Sequence, residues 1–229
     1  MGEMVAWYAV FLFSVTLHEA AHAWTAKLGG DPTAYLGGQV SLDPLPHIRR
    51  QPFGMVILPA ISLLLTGWPF GFASAPYDPF WAYKHPRRAA WMALAGPGSN
   101  LSLVIVSVLL AHTGIALGIF SVPAYIGFAH IVDSNFSGFC SAFAYLLGIL
   151  FTMNLILAVL NVIPLPPLDG SEIISLFINE ERARAYQEII KNPAFGFLGL
   201  FLAWQVFDPL FEVIFLIVIN LIYPGHSFG

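Results

Sequence analysis

Two histidines four residues apart, with a glutamate beside the first, offer the clearest chemistry in this sequence. The motif is His18-Glu19-Ala20-Ala21-His22. On an α-helix, positions i and i+4 share a face, so both imidazoles can bind one metal ion. Glu19 would then stand beside them, placed to take a proton from a metal-bound water. The alternative is a polar contact between two helices, in which both histidines are simply hydrogen-bonded.

The motif lies inside the apolar stretch Met4–Leu28, which is long enough to cross a bilayer. An ionisable group at such a depth costs about 2.5 kcal/mol or more, so a functional role is expected for it. Lys27 is expected to mark the inner interface of this helix. With a rise of about 1.5 Å per residue, His18 and His22 lie about 13 Å and about 8 Å below it. We therefore expect a metal site within the membrane, near its cytoplasmic face.

A catalytic zinc needs three protein ligands and an open position for water. The best third ligand is Asp169, in the segment NVIPLPPLDG at residues 161–170, at the inner end of a later apolar stretch. The prolines end the helix there, and the glycine after Asp169 permits an unusual backbone conformation. Alternatively, Asp169 caps a helix over residues 171–178. We predict one Zn²⁺ per chain, bound by His18, His22 and Asp169.

The elements that must position these residues are set by an unusual composition. Of the 229 residues, 58% are apolar and 10% are charged, whereas soluble domains carry about 25% charged residues. These values exclude a soluble single domain and a disordered chain. The net charge of −4 comes without a basic patch and excludes nucleic acid as a partner. The single cysteine, Cys140, excludes an all-thiolate metal site, and the lipid bilayer is the expected surrounding.

Five apolar stretches are candidates for membrane segments. They cover residues 4–28, 53–75, 89–111, 139–163 and 194–223. We predict an all-α polytopic membrane protein of about four to six membrane segments, forming one domain over residues 1–229 with its core at 4–178. The last segment, 194–223, contains Asp208-Pro209 and Glu212, and is either one broken helix or a hairpin of two short ones. Its two acids are read as buried, and they could face water in a gate or make a polar contact at the break.

Basic residues decide how the second stretch, residues 53–75, meets the membrane. If it enters and leaves on one face, all nine Lys and Arg lie on that face, and the loop 113–138, which has none, lies on the other. The positive-inside rule favours this arrangement. We therefore predict a re-entrant segment, a multi-pass protein of the cell membrane, and a charged interfacial helix at residues 179–192.

Residues 34–42 predict a small β-hairpin near the inner face, because two glycines separate the β-prone Tyr35 and Val40. This hairpin would either accept an extended substrate as an added strand or be a plain surface feature. Asn154 lies seven residues before Asn161, on nearly the same helix face, and could contact the site, but an interhelical hydrogen bond is the favoured expectation for it.

Together, the histidine motif and the proline-rich aspartate motif resemble the site-2 protease family of intramembrane zinc metalloproteases. The short prokaryotic branch without a PDZ domain is the most similar. The segments AGPGSN at residues 95–100 and DPLPHI at residues 43–48 match as well, so the resemblance spans about residues 14 to 175.

The resemblance implies an endopeptidase that cleaves a transmembrane helix of a membrane-protein substrate within the bilayer. By position, His18, His22 and Asp169 would bind zinc and Glu19 would be the general base. Asn161 would lie near the scissile carbonyl and stabilise the oxyanion.

Two other functions compete with this one. A transporter or channel could use the acids of the last segment along an ion path, but transporters usually contain inverted repeats, and this sequence shows none. A catalytically inactive scaffold of the same fold is the second alternative, and the intact Glu19 argues against it.

Overall fold

The computed structural model describes residues 2–228 and is predominantly helical. In chain order its helices are α1 (Gly2–Leu28), α2 (Thr33–Leu36), α3 (Pro44–Arg50), a π-helical turn (Phe53–Ile57) continued by α4 (Leu58–Thr66), α5 (Pro79–Lys84), α6 (Pro86–Ala116), α7 (Phe139–Val162), α8 (Asp169–Ile173) with a 3-10 turn (Ile174–Leu176), α9 (Glu180–Ile190) and α10 (Pro193–Ile222). Of these, α1, α6, α7 and α10 are long and apolar enough to cross a membrane. The predicted all-α polytopic fold is confirmed.

The centre of the fold is formed by α1, α6 and α7, which pack against one another. Alanines make the α1–α6 contact possible at the C-terminal end of α1, because small side chains let two helices approach closely. Ala26 of α1 and Ala89 of α6 are almost completely buried there, beside Trp81 of α5. The part of the bundle next to the loop between α6 and α7 instead contains aromatic and aliphatic side chains, among them Phe120, Phe151 and Phe215.

The segment of residues 53–75 reverses direction, so that its two ends lie side by side. The axis of the helix over residues 53–66 is bent by 113° from that of α3. After α4 the chain comes back in extended form, and the Phe72 N–H donates a hydrogen bond to the Gly54 carbonyl, 3.1 Å away. At the base, the Arg50 guanidinium donates to the Ser74 carbonyl at 3.0 Å. This return is the geometry that a re-entrant segment requires; that both ends face the cytoplasm stays a prediction.

The predicted position of the β-hairpin, residues 34–42, is wrong. The segment begins with α2, whose end is closed by local hydrogen bonds such as Gln39 N–H to the Ala34 carbonyl, so no strand forms. The two-stranded antiparallel sheet lies in the loop between α6 and α7, where β1 (Phe120–Ser121) pairs with β2 (Asp133–Ser134). The β-propensity of two residues did not outweigh these local bonds.

The last apolar stretch is one continuous helix, α10, with Pro209 inside it. This removes the hairpin alternative. Asp208 and Glu212 are exposed on its surface, so the expectation that they are buried is wrong. The charged segment before it forms the helix α9, whose first turn is capped by the Asn179 side chain.

Candidate metal centre

The three predicted metal ligands meet at one point. His18 and His22 come from α1 and Asp169 from the first residue of α8. The two Nε2 atoms are 2.9 Å apart, and the Asp169 Oδ2 lies 3.2 Å from that of His18 and 3.3 Å from that of His22. Two imidazoles and a carboxylate brought together in this way form a set that a catalytic zinc accepts.

The far nitrogen of each imidazole is held by an acceptor. His18 Nδ1 lies 2.6 Å from the Asn100 side-chain oxygen, and His22 Nδ1 lies 2.7 Å from the Met92 carbonyl. Because an oxygen acceptor requires a proton on its partner, each Nδ1 carries the hydrogen of the neutral ring. Each Nε2 therefore turns a free lone pair toward the cluster, as in a metal-binding histidine.

A chain of buried amides fixes the orientation of Asn100. Its Nδ2 donates to the Asn154 side-chain oxygen at 2.8 Å, and the Asn154 Nδ2 donates to the Ser14 hydroxyl at 2.9 Å. Both amides are fully buried. These bonds connect α6, α7 and α1, and they confirm the interhelical hydrogen bond expected for Asn154. They also leave the Asn100 oxygen facing His18.

Gly96 leaves the space that the two imidazoles occupy. A Cβ atom at this position would lie 2.4 Å from His22 Nε2 and 2.5 Å from His18 Nε2, far inside van der Waals contact. At Gly98, two residues further along α6, a Cβ would meet nothing within 4 Å. Sequence reasoning noted Gly96 and Asn100 only as parts of a motif and missed both roles.

The cluster contains buried acceptor atoms without hydrogen-bond donors, and this arrangement suits a bound cation. The Asp169 Oδ2 and the Glu19 Oε2 are buried and have no hydrogen-bond partner within residues 2–228. The Nε2 lone pairs of His18 and His22 face the Asp169 Oδ2. Buried acceptors without donors are costly, and a divalent cation removes that cost. Two nitrogens and one oxygen are a ligand set that suits Zn²⁺.

The backbone around Asp169 explains how it reaches α1. The glycine that follows, Gly170, packs so closely on the end of α7 that a Cβ would lie 2.2 Å from the Val162 carbonyl. Only glycine permits this approach. The Asp169 side chain makes no capping hydrogen bond, since the N-cap position of α8 is Leu168. The cap alternative is therefore not what the structure shows.

Asn161 is not brought into contact with the three ligands. Its Nδ2 donates to the Leu157 carbonyl of its own helix at 3.0 Å, and its side chain is partly exposed. One of its two amide hydrogens is used in this bond. Its catalytic role stays a prediction.

The extended chain after α4 is tied to the helix that carries Asp169. The Tyr77 hydroxyl donates to the Glu172 carboxylate, one turn after Asp169, at 3.1 Å. Burial and the neighbouring carboxylate raise the pKa of the Tyr77 hydroxyl above its usual range. The Asp78 N–H donates to the Asp31 carboxylate at 2.8 Å, which joins the same chain to the end of α1. These contacts join the extended chain to α8 and to the turn after α1, and sequence reasoning did not find them.

Known proteins match this chain over most of its length. The profile described as "Peptidase family M50" matches residues 6–204. The "Putative zinc metalloprotease YwhC" of Bacillus subtilis is 35% identical over 164 residues, which are 71% of this chain and 64% of that protein. The "Putative zinc metalloprotease Rip2" of Mycolicibacterium smegmatis is 30% identical over 185 residues, or 81% and 62% of the two chains. That of Mycobacterium tuberculosis H37Rv is 29% identical over 215 residues, or 93% and 73%.

The chain thus spans a little less than two thirds of the length of the first two relatives. No solved structure matches it significantly.

Proposed function

Since the chain belongs to peptidase family M50, the site-2 protease family, we propose that it is a zinc endopeptidase that cleaves transmembrane segments of membrane-protein substrates within the bilayer. The observation that carries this proposal is the meeting of His18, His22 and Asp169 inside an apolar helix bundle. Structural zinc sites have four protein ligands, whereas three ligands leave a position open for water.

Zinc held by these ligands would lower the pKa of a bound water to about 7 and so supply a nucleophile at neutral pH. Glu19 takes the proton of the attacking water and later delivers it to the leaving amine. Two observations support this role: Glu19 is buried and directly follows His18 in α1, and its Oε2 has no hydrogen-bond partner among the described residues. Asn161 offers its second amide hydrogen to the developing oxyanion.

The substrate has to unwind before it can react. Peptide bonds in a helix are hydrogen-bonded and shielded, so an attacking water cannot reach their carbonyl carbon. Glycine or proline in the substrate span lowers the cost of unwinding by about 1 to 3 kcal/mol per residue relative to alanine. Because His18 lies nine residues from Lys27, about 13 Å along the helix, we place the cleaved bond in the inner third of the membrane, on the cytoplasmic side.

The proposal is tested with the purified protein in phosphatidylcholine vesicles and a model substrate with one transmembrane span. We expect cleavage within the inner third of that span, loss of cleavage after chelation, and recovery on addition of Zn²⁺. A substrate with a uniform polyleucine span should be cut much more slowly than one with a Gly-Pro pair at the same depth. Cleavage that persists in chelator, or that occurs only in the aqueous flanks, would contradict the proposal.

A further inference from the structure

One face of α10 carries a polar stripe toward the outside of the molecule. Gln205, Asp208 and Glu212 lie at spacings i, i+3 and i+7, which place them on one side of a helix. All three are exposed, in a helix that is otherwise apolar. In its most apolar window α10 is 17% buried, whereas α7 is 56% buried. The stripe therefore faces away from the rest of the chain.

The stripe lies at the middle of a membrane span. Asp208 is fifteen residues from Pro193 and fourteen from Ile222, or about 22 Å from either end of the helix. A carboxylate at this depth that meets only lipid is strongly unfavourable, and such residues normally face protein or water.

The stripe presents acceptors and lacks a cation. Pro209 has no N–H, so the Gln205 carbonyl, four residues earlier, loses its usual helical donor and adds a backbone acceptor to the two carboxylates. No salt bridge or side-chain hydrogen bond joins Asp208 or Glu212 to any residue in the range 2–228. The side-chain amides within the spans differ: Asn100 of α6, Asn154 of α7 and Asn220 of α10 itself all have protein partners.

We propose that this face of α10 binds a transmembrane helix of another protein that carries a Lys or Arg near the middle of its span. Two carboxylates and a free carbonyl match the several N–H donors of one such side chain. The pairing removes two costs at once, because a lone base in the partner's span is as unfavourable in lipid as the acids are here. This inference does not depend on the proteolytic function.

A second copy of this chain is a poor occupant. Its nine Lys and Arg lie between residues 27 and 88 or between 182 and 191, at the ends of spans or outside them. A symmetric contact through α10 would place the acids of one copy against the same acids of the other. The charge that complements this face must come from a different chain.

The test measures association of labelled peptides with the full chain in phosphatidylcholine vesicles. The protein carries a donor dye on its single cysteine, Cys140. The peptides have an acceptor dye and a Leu-Ala span of about 21 residues, with either Lys or Leu at the centre. Energy transfer is followed for the wild type, for the double variant Asp208→Asn/Glu212→Gln, and for the control Glu181→Gln, which removes an exposed acid from α9. Retained Zn²⁺ shows that each variant is folded.

We expect the Lys peptide to bind the wild type and the control at least tenfold more tightly than the Leu peptide does. In the double variant the two peptides should bind alike. Equal binding of both peptides to the wild type would overturn the proposal. So would self-association of the wild type without peptide that disappears in the double variant, because the face would then be an interface between copies.

Discussion

Within residues 2–228 a histidine meets a carboxylate at two places, and the two contacts differ in kind. In the loop between α6 and α7, His130 Nε2 lies 2.6 Å from Asp133 Oδ1, three residues along the chain. In the metal centre the carboxylate of Asp169 comes from a distant element and lies 3.2 Å and 3.3 Å from the Nε2 atoms of His18 and His22. The first is a local, half-exposed pair, and the second is a buried cluster.

The position of the ring proton explains the difference. His130 donates its Nε2 hydrogen to Asp133, so this nitrogen has no free lone pair for a metal ion, and the buried Nδ1 of the ring has no hydrogen-bond partner within residues 2–228. In the metal centre the ring protons are on the Nδ1 atoms, where Asn100 and Met92 accept them. Residues in the layer behind the ligands therefore decide which histidine–carboxylate contact can hold a metal ion.

Removing a ligand should have the largest effect. Asp169→Ala or His22→Ala should reduce bound zinc from one per chain to almost none, because two ligands do not make a zinc site. Asp133→Ala removes the carboxylate of the other pair and should leave one zinc per chain. Metal analysis of the purified variants measures this, and full zinc content in either ligand variant would refute the assignment of Asp169 and His22.

Two glycines on α6 offer a matched pair for the next test. In Gly96→Ala the added methyl would overlap both imidazoles, and the zinc affinity should fall by about 100-fold, at the upper end of what displaced ligand supports cost. In Gly98→Ala the methyl meets nothing within 4 Å, and the affinity should stay at the wild-type value. Competition with a chelator of known affinity gives both numbers, and equal affinities would show that Gly96 does not shape the site.

Loss of the hydrogen bond between Asn100 and His18 should weaken zinc binding less than loss of the space at Gly96. Asn100→Ala removes the acceptor for the His18 ring proton, and we expect roughly tenfold weaker zinc binding in the same competition assay. Ser102→Ala is the control, since that hydroxyl only bonds to its own helix, at Gly98. Unchanged affinity in Asn100→Ala would mean that the ring is oriented by packing alone.

The His130–Asp133 pair and the cluster of His18, His22 and Asp169 should also lie toward opposite sides of the membrane. Cysteine labelling tests this and has no expected effect on zinc binding. Single cysteines placed at Arg49 and Lys84 in a Cys140→Ser background should react with an impermeant thiol reagent from the cytoplasmic side. The natural Cys140, near the His130 loop, should react from the outer side. Labelling of positions 49 and 84 from opposite sides would show a full crossing instead of a re-entrant segment.

The sequence predicted the parts of the site that depend on local spacing. His18 and His22 follow the helical period, and the prolines before Asp169 mark a helix end, so both could be placed without coordinates. The orienting role of Asn100 and the empty space at Gly96 arise from contacts between helices far apart in sequence, which no local pattern encodes. The exposed position of Asp208 depends on which face of α10 packs against α7, and an apolar sequence without clear periodicity does not reveal that.

The most direct test of the central claim is Glu19→Gln, because it separates metal binding from catalysis. The amide keeps the size of the side chain but cannot accept the proton of water, so the variant should retain one zinc per chain and cleave the model transmembrane substrate at least about 100-fold more slowly. Glu3→Gln, in the first turn of the same helix, is the control and should cleave at the wild-type rate. Near-normal cleavage by Glu19→Gln would contradict the account.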